Sequence, residues 1–317
     1  MRRAHVLVFA TALLAGCASS PMTSVDLGAT DGSPAADLWA HDRGATPDAS
    51  PVACSYSEAA SPGSDGLWGT ADDPITGGQT ATYAPSGQQL SFARVTPGPD
   101  GRVGTADDVT ESLVQFTFDT AGRRAGSRTY NAPGADGRWG TGDDLQNQRE
   151  SYSYDAQGRR ADRTIFNKAG PDGVWGSADD VIGARHVYAD FVPFLKDTES
   201  RIEIVYDDPG ADGRWATPDD RVWMAFRKVP TTRAAGEWSL ESRASSASGA
   251  DGKWGTDDDP VRQRAVWQCE AKTRTMSVYR GPGTDGTWGT TDDEVQSRAS
   301  LTTNGGCPFS LCAVKID

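Results

Sequence analysis

Three aspartates fall within nine residues of one another seven times along this chain. The sets are Asp65, Asp72 and Asp73; Asp100, Asp107 and Asp108; Asp136, Asp143 and Asp144; Asp172, Asp179 and Asp180; Asp212, Asp219 and Asp220; Asp251, Asp258 and Asp259; and Asp285, Asp292 and Asp293. A hydroxyl precedes each closing pair, as Thr70, Thr105, Thr141, Ser177, Thr217, Thr256 and Thr290. These sets hold nearly half of the 44 Asp and Glu in the 317 residues, and acids this close repel one another unless something neutralises them. A cation follows the turn in only four copies, as Arg102, Arg138, Arg214 and Lys253, so the loop does not carry its own match. A hard divalent ion answers that need, and Ca²⁺ takes about six to eight oxygen ligands. The expected ligands in each copy are the first Asp, the Ser or Thr oxygen, and one or both closing Asp. Asp-Gly and Thr-x-Asp are also ordinary turn chemistry with solvated acids, and the residues alone leave both readings open.

Each set sits in one motif, Gly-x-Asp-Gly-x-Trp-Gly-Thr-x-Asp-Asp, with small variations, recurring every 34 to 40 residues. Gly at its first and fourth places admits positive φ for a tight turn. The Trp would cover the end of a small core, and only the second copy lacks it, with Val103 instead. The motif resembles the calcium loops of bacterial and thrombospondin-type repeats in its Asp-Gly turn and acidic end. It departs from them, and from the EF-hand, in lacking Asp-x-Asp-x-Asp-Gly and a terminal bidentate Glu.

Two β-forming segments position each loop. Val114, Phe116 and Phe118 alternate, the chain turns through Gly122, and a second segment returns to Asn131. Ile202, Ile204 and Tyr206 alternate likewise, as do Val222, Met224 and Phe226, and Ala265, Trp267 and Cys269; each set is expected on a core face. Tyr154, Asp155, Gly158 and Arg159, with Phe118, Asp119, Gly122 and Arg123, resemble the YD repeat of bacterial Rhs-type and teneurin-like proteins. That resemblance implies long antiparallel sheets that wrap into shells and implies no chemistry. Each period is too short for the four strands of a propeller blade. The expected fold is all-β, a seven-repeat antiparallel meander of about fifteen strands, curled or spiralled, with a seven-bladed propeller-like ring as the alternative.

The N-terminus begins with Arg2 and Arg3 and continues through a short apolar run to Leu14, the pattern of an export signal. Leu14, Ala15, Gly16 and Cys17 resemble the bacterial lipobox, which implies cleavage before Cys17 and lipid on its thiol. Ala18 follows, not Asp, which by the same resemblance favours the outer membrane. Residues 1–16 are therefore read as signal peptide, 17–51 as a lipidated flexible tether poor in large apolar side chains, and 52–317 as the repeat domain. Cys54, Cys269, Cys307 and Cys312 remain, an even count that suggests two disulfides beyond the inner membrane. Three pairings are open; Cys54 with Cys312 would need the array to close on itself.

A net charge of −13 argues against nucleic acid and anionic lipid surfaces as partners. No nucleophile stands beside a recognisable base, and only His186 lies within the repeats, where a half-exposed strand position is its plain reading. The segment around Phe191, Phe194 and Leu195 is the most irregular interval and the best place for a ligand pocket. The expected function is that of a non-catalytic, calcium-stabilised scaffold of the cell envelope, held to the membrane by lipid and binding envelope polysaccharide or protein. The alternatives are an envelope hydrolase with its site in the fourth or fifth repeat, and an Rhs-like shell fragment.

Overall fold

The computed structural model describes residues 51–304, apart from 62, 67–69, 195–196, 235–236 and 271–272. Its strands are β1 (Val52–Ala59), β2 (Ile75–Tyr83), β3 (Gln89–Thr96), β4 (Val109–Phe118), β5 (Arg124–Ala132), β6 (Leu145–Tyr154), β7 (Arg160–Lys168), β8 (Val181–Phe194), β9 (Asp197–Asp208), β10 (Arg221–Ala234), β11 (Glu237–Ser245), β12 (Val261–Glu270), β13 (Thr273–Gly281) and β14 (Glu294–Asn304). Each pairs antiparallel with the next, and β14 returns to β1, with Leu301 opposite Glu58. The sheet is therefore a closed barrel. This corrects the expectation of a curled or spiralled meander, and of a propeller-like ring. Closure gives the end strands the backbone partners that an open edge would leave to solvent.

The curvature has a local cause. All seven strand pairs joined by an acidic loop carry a register shift, for example between Glu58 and Ala59, Arg94 and Val95, and Ala244 and Ser245. A β-bulge bends its strand and increases twist, and four pairs joined by the short turns carry one at the other end, so bulges at both ends coil the sheet toward closure.

Inward positions hold the core. Tyr56, Ala81, Tyr83, Phe92, Phe116, Leu240, Trp267, Met276 and Leu301 form one buried cluster, with Val114 and Phe118 against it. A circular barrel of this strand number approaches the size that leaves an open channel. Side chains this buried fill the interior on this side instead. A smaller cluster joins Val205, Phe226 and Ala244, with Met224 packed on it. In β9 the inward set is Glu203 and Val205, which corrects the expected core face of Ile202, Ile204 and Tyr206. Ile202 points outward, where a Cβ on Gly255 of the sixth acidic loop would lie only 2.6 Å from it, so a loop covers it from outside.

Two outward rows of polar residues follow the register along the wall. Ser91 lies opposite Gln115, Gln115 opposite Arg128, and Arg128 opposite Arg149. Arg227 lies opposite Arg243, which lies opposite Arg264. A membrane-spanning barrel needs an outward apolar band and keeps its polar residues inside. In these rows Arg149, Arg227 and Arg264 lie beneath acidic loops, and apolar side chains such as Val109, Leu145 and Val181 are exposed.

Candidate functional site

The acidic loops repeat one hydrogen-bond scheme. In the third, Asp136 Oδ1 accepts the backbone N–H of Arg138 at 2.8 Å, an Asx-turn, and Thr141 Oγ1 donates to Asp143 Oδ1 at 2.7 Å. Asp143 Oδ2 accepts the N–H of Asp136 at 3.1 Å, and Asp144 Oδ2 that of Gly140 at 2.7 Å. The hydroxyl contact recurs from Thr70, Thr105, Ser177, Thr217, Thr256 and Thr290. That hydroxyl is the main reason the carboxyls of Asp107, Asp143, Asp179, Asp219, Asp258 and Asp292 lie below the usual range. Thr70, helped by Ser64, holds Asp72 at about 2.

The two motif glycines have different duties. Gly101 and Gly137, at the fourth place, take φ of 68° and 67°. Gly134, at the first place, is needed for close approach instead: a Cβ there would lie 2.2 Å from the carboxylate of Asp143. The expectation of positive φ at both places therefore needs correcting for this copy.

The closing aspartates divide the work. The last one is buried in five copies, as Asp73, Asp144, Asp180, Asp259 and Asp293, and Asp108 and Asp220 are half-buried. The one before it is exposed throughout, as are Asp65, Asp100, Asp136, Asp172, Asp212, Asp251 and Asp285.

Each loop leans back on the strand that precedes its own pair. Arg149 of β6 binds Asp180 through Nε at 2.9 Å and Nη2 at 2.7 Å. Arg185 of β8 donates to Trp215 O at 3.1 Å, Arg227 of β10 to Gly255 O at 3.2 Å, and Arg264 of β12 to Asp293 at 3.2 Å. Val103, the residue in place of Trp, lies over Gly78 of β2, where a Cβ would come within 2.6 Å of it. The first loop meets β14, with Thr70 and Asp73 beside Ser300 and Thr302. The seven loops thus form a collar that runs through the closure. The missing cation lies on the preceding strand, 29 to 35 residues before the last Asp, in four copies: Arg149, Arg185, Arg227 and Arg264. That spacing was visible in the sequence, but its meaning depended on knowing which strand lies beneath which loop.

Of the expected ligand sets, one meets a metal geometry among the described residues. Asp212, Asp219 and Asp220 each place a carboxylate oxygen within 4.8 Å of the others.

A second cluster, missed in the sequence, lies inside the barrel. Arg163 pairs with Glu150, which also accepts from Tyr152 Oη at 2.6 Å and Gln148 Nε2 at 3.0 Å. Glu203 lies 2.7 Å from His186 Nδ1 and 2.9 Å from Lys228 Nζ. Burial alone would raise the Glu150 carboxyl, but the charge and hydrogen bond of Arg163, with Tyr152, outweigh it and hold it at about 2. Burial also opposes ionisation of Glu203, and Lys228 and His186 overcome it, holding that carboxyl far below the usual range. Burial, with the Glu203 charge, pushes the Tyr188 hydroxyl up to about 12. Glu150 shares the alternation of Tyr152 and Tyr154, which is the signal that would have placed it inward.

His186 is thus an inward, half-buried strand residue with Nδ1 2.7 Å from Glu203. Phe191 has Arg159 stacked on its ring at 4.5 Å, in the manner of Arg123 on Tyr154 at 4.4 Å. Cys54 and Cys269 are buried in the core. Cys17, Cys307 and Cys312 lie outside the described residues, as do the signal and tether segments.

No family model matches this chain, and no curated protein does. Among solved structures, a porin-like protein from Bacteroides uniformis is similar at a TM-score of 0.32 and 7% identity, over 80% of this chain and 96% of that one. A protein of unknown function from Bacteroides fragilis gives a TM-score of 0.19 and 11% identity, over 58% of this chain and 91% of that one. At TM-scores this low, neither likeness bears on what the chain does.

Proposed function

We propose that this chain is a non-catalytic scaffold of the cell envelope, an aqueous barrel tethered by lipid at Cys17, that presents its acidic collar to envelope polysaccharide or protein. The observation that carries this is the recurrence of the seven loops: they share one internal hydrogen-bond scheme, so the molecule offers one repeated surface. Val52 pairs with Tyr83, just before the turn at Gly87, so the tether joins the barrel at the end opposite the collar. An anchored molecule can therefore turn its collar away from the membrane. Outer-membrane placement rests on Ala18. Calcium belongs to the proposal at Asp212, Asp219 and Asp220 of the fifth loop.

The interior acids speak against the hydrolase alternative. Acid–base glycoside hydrolysis keeps one carboxyl protonated beside an ionised one. Here Glu150 and Glu203 are both pinned as anions.

The test is co-sedimentation of the lipid-free protein with purified envelope polysaccharide, alongside a glycosidase screen. Binding that is weakened by Asn at the exposed Asp107, Asp143, Asp179 and Asp258, with no turnover, is the expected result. Turnover abolished by Glu203→Gln in a folded variant would replace the scaffold with an enzyme.

A further inference from the structure

The barrel mouth opposite the collar is covered on one side. Cys54 of β1, Tyr83 of β2, Gln89 of β3, Cys269 of β12 and Arg274 of β13 all stand within three positions of a strand end there. Their exposures are 4%, 0%, 3%, 0% and 2%. The rim of an open barrel meets water, so inward side chains at strand ends stay buried only if something lies over them. Phe118 and Tyr154, at the ends of β4 and β6 on the same mouth, are only half-buried. The cover therefore lies over the side from β12 to β3, and the middle of that side is β14 with β1.

Cys269 is disulfide-bonded. The register rules out Cys54 as its partner. Cys269 lies level with Arg274, Leu301 and Glu58 in successive strands. Cys54 is three strands away and four residues further along β1, roughly 19 Å over the sheet, whereas bridged cysteines have Cα atoms about 4.4–6.8 Å apart. Cys54 keeps its thiol. With Cys17 reserved for lipid, Cys307 and Cys312 remain, and both follow β14 where it ends at this mouth. Asn304 is roughly 14 Å from Cys269 by the same register. A chain covers up to about 3.4 Å per residue, so Cys312 reaches Cys269 with slack and Cys307 only when nearly extended.

We infer that residues 305–317 fold back across the mouth opposite the collar as an internal plug, fixed by a disulfide from Cys269 to Cys307 or Cys312. Gly305 and Gly306 admit the reversal, and Phe309, Leu311, Val314 and Ile316 supply apolar side chains for the cluster around Trp267, Met276 and Leu301. In forming the bond, two thiols give up two protons and two electrons to a protein disulfide of the oxidising compartment, which becomes a dithiol. The plug rests on the envelope placement in the scaffold reading but on nothing in the collar, so polysaccharide binding can fail without it.

The experiment is tryptic mapping, without reductant, of the intact lipoprotein extracted from membranes. Cys269 falls in the peptide 265–272, and Cys307 and Cys312 fall in 299–315. The two should be recovered joined, and chymotryptic cleavage after Phe309 tells which tail cysteine is bonded. Peptide 265–272 recovered as a thiol, or joined to Cys17 or Cys54, would overturn the inference. Maleimide labelling of Cys54 in the native protein reads the cover itself. A chain stopped after Asn304 should label about tenfold faster or more, because the opening that exposes Cys54 no longer has to displace the plug. Should that chain fail to fold, Phe309→Asp with Leu311→Asp keeps the disulfide and should show the same gain. Unchanged labelling in a folded variant would mean that the mouth is covered by something else, and the plug would be refuted.

Discussion

Asp180→Asn separates a docking role for the last loop aspartate from a role shared by all three acids. The Asp180 side chain is 1% exposed and that of Arg149 is 20% exposed, with the guanidinium on Asp180 and 3.8 Å from the centre of the Phe166 ring. Asn keeps the shape and can still accept the N–H of Gly176, now at 2.8 Å. It removes the counter-charge and leaves Arg149 against an aromatic face. Breaking a buried pair costs roughly 3–5 kcal/mol, and the partial exposure of Arg149 brings the expectation to about 2–3 kcal/mol. For a barrel of this size that is a fall of roughly 4–12 °C in melting temperature. Asp179→Asn changes an exposed carboxylate next door and should leave the melt unchanged within error. Arg149→Met combined with Asp180→Asn should recover much of the loss, because no charge is then stranded. The assay is calorimetric melting of the four proteins with and without EDTA. Equal losses from Asp179→Asn and Asp180→Asn, both erased by EDTA, would show the acids acting together on a cation and would refute the docking argument.

Four further outcomes follow from the geometry. Gly134→Ala drives a Cβ into the carboxylate and carbonyl of Asp143 and should destabilise by about 2 kcal/mol or more, whereas Gly142→Ala meets nothing within 4 Å and should be neutral or slightly stabilising by thermal melting. Ala216 stands where other copies have Gly and holds φ at 65°, so Ala216→Gly should stabilise by up to about 1 kcal/mol; a loss would show that the position is not strained. Glu150 and Glu203 have folded-state pKa values below their unfolded ones, so the stability they contribute is full above the unfolded carboxyl range and is lost as pH falls from about 5 toward 2. Glu150→Gln should flatten that part of a stability–pH curve measured by denaturant titration, and an unchanged slope would contradict the pairing. Cys17→Ser should move the protein from the membrane fraction to the soluble fraction and abolish labelling with radioactive palmitate.

Much of the local structure could be read from residue order. Phe116 with Val114 and Phe118 shows its core face as plain alternation, and so do Ala265, Trp267 and Cys269. Asp136 and its counterparts announce Asx-turns. Closure could not be read, because it depends on β1 meeting β14, two strands at opposite ends of the array whose residues carry no mark of the pairing. Ile202 and Ile204 misled for a related reason: their outward face is covered by a loop some fifty residues later, so apolar alternation there reports a second, outer packing layer. The search for cations within each acidic motif failed because Arg149, Arg185, Arg227 and Arg264 lie on the preceding strand, and only the register reveals that they sit beneath the loop. The inward charges were hidden among many Arg and Glu in strands whose outward rows are equally charged.

The proposed scaffold is an aqueous barrel whose outer wall does not contact lipid. Sedimentation of the chain from residue 18, with Cys17 and its lipid absent, in buffer free of detergent tests it most directly. The account predicts a folded, monodisperse species that leaves planar bilayers non-conducting. Recovery of folded protein only in detergent, with discrete channel currents on addition to a bilayer, would contradict it.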